Sequence, residues 1–293
     1  MQKRRVDRSV MGGRAAGLGG FLRTRRARLH PADVGTASMG RRRVPGLRRE
    51  ELAQLAGVST DYLTRLEQGR DLHPSVSVLN SLAAALRLDT AERDYLQFLA
   101  GAHRDDTSTC SRQLPAQQPS NGGLHLLAAL TSAPALILGR RMQVLAQNPP
   151  GAGLLGDLTG KNLLRALFLD PDVRVRHADW EQAAAQSISF LRTHALRDGA
   201  DRDLCRLVTE LSGDATFARL WDEHHVHNSA SGTTHFAHPD AGHLILDYQI
   251  LPLPDPEQWL LVYTTSPHST DHLALELQSN DPALVLTRAT PTR

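Results

Sequence analysis

Residues 47–70, LRREELAQLAGVSTDYLTRLEQGR, constrain the fold more tightly than any other stretch of the chain. Leu52, Ala53, Leu55 and Ala56 give its first half the apolar face of a helix. Ala53 is small where a second helix must cross closely. Gly57 can take the positive φ of a tight turn without a Cβ penalty. Ser59 carries a hydroxyl that can accept from an orphan amide one turn on, so it predicts the cap of a second helix. In that helix Leu63 and Leu66 turn inward, while Thr60, Asp61, Thr64, Arg65 and Gln68 share the opposite face. A row of polar side chains on an exposed helix is what a DNA major groove accepts.

Three more helices are predicted around this pair. Leu18–Leu29 gives the first. Pro74-Ser75 opens one that carries Val78, Leu79, Leu82, Ala83 and Leu86, and Thr90 caps another with Tyr95, Leu96 and Leu99. Five helices around one small core is the expected architecture of residues 18–103, preceded by a basic arm over 1–17. Charge supports a polyanionic partner. Residues 1–104 hold 19 Lys+Arg against 10 Asp+Glu, and residues 105–293 hold 14 against 21. The positive first third implies double-stranded DNA as a partner.

The segments Glu51-Leu52-Ala53, Ala56-Gly57-Val58-Ser59, Tyr62-Leu63 and Leu66-Glu67-Gln68-Gly69-Arg70 resemble the Cro/lambda-repressor-like helix-turn-helix, or XRE family. That resemblance implies residue roles. Thr60, Asp61, Thr64 and Arg65 would face base edges from the recognition helix. Arg65 could donate twice to guanine, and Asp61 could accept from cytosine. Arg48, Arg49, Gln54 and Ser59 would contact phosphates. Glu67 would pair internally with Arg26 of the first helix. The 17 residues between the first two helices, HPADVGTASMGRRRVPG, form a longer loop than a minimal member needs. Arg41, Arg42 and Arg43 in that loop are expected to add phosphate or minor-groove contacts.

Residues 104–121 are polar and lack apolar rhythm, so they read as a linker. A second domain is expected over 122–267, followed by a tail over 268–293 with a short helix near Leu273–Leu277. Apolar runs at 135–138 and 142–147 flank Gly139-Arg140-Arg141 as a hairpin. Helical spacing marks 178–197 and 201–211. Strands follow near 232–237, 243–251 and 258–264. This order predicts an α+β domain whose five-stranded antiparallel sheet has helices on one face. Ala133-Pro134-Ala135-Leu136, Gly139-Arg140-Arg141, Leu145-Ala146 with Asn148, and Asn162-Leu163-Leu164 with Phe168 resemble the MmyB-like ligand-binding domain. So do Leu220-Trp221, His224, Val226, Gly232-Thr233, His238-Pro239, Gly242, Leu244, Leu246 and Tyr248. The resemblance implies a PAS-like fold and a small-molecule sensor, with a fatty-acid-like ligand as one type. Arg140, Arg141, His224 and His238 are the expected head-group contacts. The chain departs from the family at Gln147, at Pro149-Pro150, which should disturb the helix start after Asn148, and at His225 and His227. The first two departures are expected on a cavity wall.

Rival functions have less behind them. Cys110 and Cys205 provide no disulfide framework and are expected to be reduced. A metal site needs converging side chains and a second shell, which the run His224, His225, His227, His235, His238 and His243 does not by itself imply, so no metal is expected. No Gly-x-Ser-x-Gly elbow, HExxH or phosphate-cradling loop points to an enzyme. No stretch approaches the ~20 apolar residues of a membrane span, and no signal peptide is evident, so a cytoplasmic protein is expected. The sequence thus predicts a DNA-binding transcription regulator, able to act as a homodimer and modulated by a small apolar ligand. A second domain that binds another protein instead is the alternative.

Overall fold

The computed structural model describes residues 14–34, 46–70, 74–101, 113–194, 202–224, 226, 230–255, 257–266 and 269. The basic arm up to residue 13, the Arg41–Arg43 triplet, His225, His227 and the expected helix at 273–277 lie outside these residues. Two compact units emerge. One comprises Met1–Gln113 with Leu196–His227, and the other Leu114–Ala195 with Asn228–Arg293.

The first unit contains helices α1 (Arg14–Arg28), α2 (Arg49–Ala56), α3 (Thr60–Glu67), α4 (Val76–Ala85) and α5 (Thr90–Gly101). Leu18, Phe21 and Leu22 of α1 meet Leu52 of α2, Leu63 and Leu66 of α3, Leu82 of α4 and Leu96 of α5 in one core. Gly57 stands at φ 65° and closes α2, its amide donating to the Gln54 carbonyl, while Val58 N–H donates to Ala53. The left-handed turn is what a glycine provides there without strain. Gly19 fixes how closely α1 crosses α3, since a Cβ at this position would collide with the Glu67 carbonyl.

Two further helices, α11 (Arg202–Leu211) and α12 (Ala215–Asp222), belong to this first unit, although the sequence suggested a second-domain location. Val226, just beyond them, is fully buried in the core of α1–α5. Arg25 of α1, itself buried and ion-paired with Glu92, donates to the His224 carbonyl at 2.8 Å. These contacts join residues distant in sequence, so no local pattern could announce them. Cys205 on α11 is disulfide-bonded, against the expectation of reduced thiols.

The second unit opens with α6 (Asn121–Ala129), then β1 (Ala135–Leu138), β2 (Val144–Gln147), α7 (Pro149–Leu155), α8 (Leu163–Leu169), α9 (Pro171–Arg176) and α10 (Trp180–His194). It closes with β3 (Ser231–His238), β4 (Gly242–Pro252) and β5 (Trp259–Thr264). The five strands form one antiparallel sheet in the order β2-β1-β5-β4-β3. On β4, Leu244, Leu246, Tyr248 and Ile250 are buried and their neighbours exposed, as the alternation predicted. Helices cover both faces rather than one. α10 lies over the face bearing Tyr248, Ile250, Leu261 and Tyr263, while Leu127 of α6 packs with Ile137, Leu260 and Val262. Both faces of β1 are consequently buried.

Pro149-Pro150 does not disturb the helix start. Asn148 caps α7 with both prolines in its first turn, where a missing amide costs no intrahelical bond. Residues 114–120, expected as linker, are held to the second unit. Gln117 donates to the Glu257 carbonyl and accepts from Arg140 N–H, and Gln118 accepts from Gln258. Among the described residues no helix is long and apolar enough to cross a membrane.

Candidate functional site

The helix α3 presents Asp61, Arg65 and Gln68 to solvent, with Thr60 and Thr64 half-buried beside them. Ser59 caps α3 through its hydroxyl, which accepts from Tyr62 N–H at 3.1 Å. Thr64 donates its hydroxyl to the Thr60 carbonyl, and the Arg65 guanidinium lies over the Tyr62 ring. Five polar residues thus share one outward face, with an acid and a guanidinium about one helical turn apart. Such a face can accept from and donate to base edges. Arg48 and Gln54 stand at the start and on the exposed side of α2, with Glu51 accepting from Arg48 N–H at 2.7 Å.

Beneath this face lies a fully buried carboxylate. Glu67 accepts from Arg26 at 2.7 and 3.2 Å and from Arg49 at 2.6 Å. Arg23 donates to the Glu67 carbonyl as well. The Arg26 pairing follows the family-based expectation. The Arg49 pairing was not expected, because that residue was read as a phosphate contact. A carboxylate with no exposed surface needs more than one cation to offset its desolvation. In sequence, Arg49 has only the signature of a solvated helix start.

In the second unit a cavity opens between α10 and the sheet. Its empty volume is about 470 Å³, part of it continuous with solvent. Ala183, Gln186, Ser187 and Phe190 supply one wall at i, i+3, i+4 and i+7 of α10. Tyr248 and Ile250 of β4 face it from positions directly opposite Tyr263 and Leu261 of β5. Thr234, Met142, Leu163, Leu167 and His177 complete the lining.

None of the expected head-group residues lines this cavity. Arg140, in the β1–β2 turn, pairs with Glu257 of the β4–β5 turn at 2.8 Å, and the Arg141 carbonyl accepts from Asn162. His224 belongs to the first unit. His238 accepts from the amides of Asp240 and Ala241, so its other nitrogen carries the proton and faces the Gly153 carbonyl at 3.2 Å. The Gln147 side chain bonds Gly156 and Leu158 instead of facing the cavity. Among the described residues no group of three metal-binding side chains converges.

Sequence reasoning missed His177. Burial lowers its pKa, the hydrogen bond to Val173 opposes that only in part, and Arg176 lowers it further. His177 is therefore neutral in the fold. Below the ordinary histidine pKa of about 6.5 the unfolded chain binds the extra proton first, so stability falls as pH drops from there through the lowered folded value. Wild-type protein should lose melting temperature between pH 7 and pH 5 more steeply than His177→Gln. Parallel curves for the two proteins would refute this assignment.

A helix-turn-helix with an exposed polar recognition face, carried with an α+β domain that holds a cavity, defines a DNA-binding transcription regulator with a ligand-binding domain. Residues 120–277 match the family model of the MmyB-like transcription regulator ligand binding domain, and residues 17–96 match a helix-turn-helix domain model. The first match spans more than half of the chain, which therefore belongs to the MmyB-like transcription regulators. A comparison with curated proteins gives no match. Both matched families are regulatory rather than enzymatic.

Proposed function

We propose that this regulator inserts α3 into the major groove of operator DNA, in the cytoplasm and as a homodimer, and that a small, largely apolar molecule in the second unit sets its operator affinity. The chain itself performs no catalysis in this scheme. Thr60, Asp61, Thr64 and Arg65 read bases; Arg48, Gln54 and Ser59 meet phosphates, with Arg41, Arg42 and Arg43 added from the loop. Arg49 acts mainly by holding Glu67. A homodimer would read two half-sites one helical turn apart.

The observation that carries the regulatory part is the placement of residues 202–224 and Val226. They lie within the segment matched to the ligand-binding family, yet pack in the DNA-binding unit. In sequence they are bracketed by α10 and β3, and both elements contribute cavity-lining residues. A molecule that changes how α10 and β3 are held acts at both ends of this segment. An acyl-type chain suits the apolar part of the lining at roughly 0.8 kcal/mol per buried CH₂.

Binding-site selection with the full chain tests the DNA half. Arg65→Ala should lose roughly 1–3 kcal/mol on the selected operator and relax discrimination at one base pair. An unchanged selected motif would show that the outward face is misassigned. Native mass spectrometry of the purified chain, followed by operator titration with and without the copurifying molecule, tests the sensor half. Equal operator affinity in the two states would reject it.

A further inference from the structure

We propose that the cavity takes an uncharged small molecule bearing hydroxyl or carbonyl oxygens, and that it disfavours a carboxylate. This rests on the reading of the second unit as a ligand sensor and deepens it.

Four polar side chains on the cavity walls are more than nine-tenths buried: His177, Thr234, Tyr248 and Tyr263. Among the described residues, the hydroxyls of Thr234, Tyr248 and Tyr263 make no hydrogen bond. His177 bonds the Val173 carbonyl through Nδ1 at 2.9 Å, which places the proton there and leaves the Nε2 lone pair without a partner among those residues. None of these four polar atoms is sealed from solvent, so together they give the cavity wall a neutral hydrogen-bonding surface. Gln186 and Ser187 add two more groups from α10.

The set has a definite chemistry. Tyr248 and Tyr263 stand directly opposite each other on adjacent strands. Burial raises both phenols above their usual range, and Tyr248 raises Tyr263 further, so both remain donors. Nε2 of His177 accepts, and the hydroxyl of Thr234 does either. A ligand oxygen can accept from the tyrosines while a ligand hydroxyl donates to His177. Among the described residues that line the cavity there is no Lys, Arg, Asp or Glu. A carboxylate would enter without a counter-charge and lose its hydration, whereas a neutral lactone, ketone or alcohol keeps its hydrogen bonds at little cost.

The test uses the full chain at pH 8 with two ten-carbon probes, δ-decalactone and decanoate. Thermal shift and isothermal titration should show the lactone raising the melting temperature and binding at least tenfold tighter than decanoate. The double variant Tyr248→Phe/Tyr263→Phe should fold with unchanged or higher melting temperature, because the hydroxyls it loses have no partner among the described residues, and should bind the lactone at least tenfold more weakly. Decanoate binding as tightly as the lactone would overturn the inference and leave the sensor reading standing. A double variant that binds the lactone like wild type would overturn it too. Failure of both probes to bind wild type would remove both the inference and the sensor reading.

Discussion

Replacing Glu67 by glutamine is expected to cost the helix-turn-helix unit about 3–5 kcal/mol, the range for breaking a buried ion pair from one side. The Glu67 side chain is 0% exposed, and it neutralises Arg26, 15% exposed, and Arg49, 43% exposed. A neutral amide keeps one acceptor but leaves two guanidiniums without their counter-charge. Arg26 also holds the Leu47 carbonyl at 2.7 Å, so the loss reaches the entry to α2. Chemical denaturation followed by far-UV circular dichroism measures the effect. Operator affinity should fall in parallel, because α1 and α3 are aligned through this carboxylate. Arg49→Ala should cost less, about 1 kcal/mol, because its guanidinium is partly solvated. A loss below about 1 kcal/mol for Glu67→Gln would mean that apolar packing alone sets the α1–α3 crossing.

The second large effect is expected at Asn148. Its Oδ1 accepts from the amides of Ala135 and Gly151, both at 2.9 Å, and its Nδ2 donates to the carbonyls of Leu130 and Ala133 at 2.7 and 2.8 Å. One buried side chain thus ties the loop before β1 to β1 itself and to the first turn of α7. Asn148→Ala orphans four backbone groups. At about 1 kcal/mol or more for each, the second unit should lose roughly 4 kcal/mol. Asn148→Asp keeps the acceptor but replaces two donors with charge, so it should recover little. Hydrogen exchange would locate the damage at Ala135 and Gly151. Wild-type protection there in the alanine variant would show that water replaces the amide fully.

The helix-turn-helix was legible because its signals are local. Gly57, Ser59 and the inward spacing of Leu52, Leu63 and Leu66 all fall between residues 52 and 66, and each has a backbone consequence of its own. The same holds for β4, where strict alternation of Leu244, Leu246, Tyr248 and Ile250 fixes the buried face. Pro149-Pro150 was misjudged by treating proline as a disturbance without regard to its place in the first turn. The Arg49–Glu67 pair was missed for a related reason: an arginine at a helix start looks the same whether its partner is a phosphate or a carboxylate from another helix.

By itself the sequence determined the helix-turn-helix elements, the Gly57 turn, the Ser59 cap, the strands of the sheet and the polar face of α3, since each depends on residues a few positions apart; the cap expected at Thr90 falls to Asp89, whose carboxylate accepts from Glu92 N–H. The tertiary structure alone decided three things. It set Tyr248 across from Tyr263 and beneath α10, which requires strand register and helix docking together. It buried His177 and so fixed its charge. It placed Val226 in the DNA-binding core and α11 and α12 in the same unit. All three depend on contacts between distant parts of the chain, where burial and partner geometry rather than residue type settle what a side chain does.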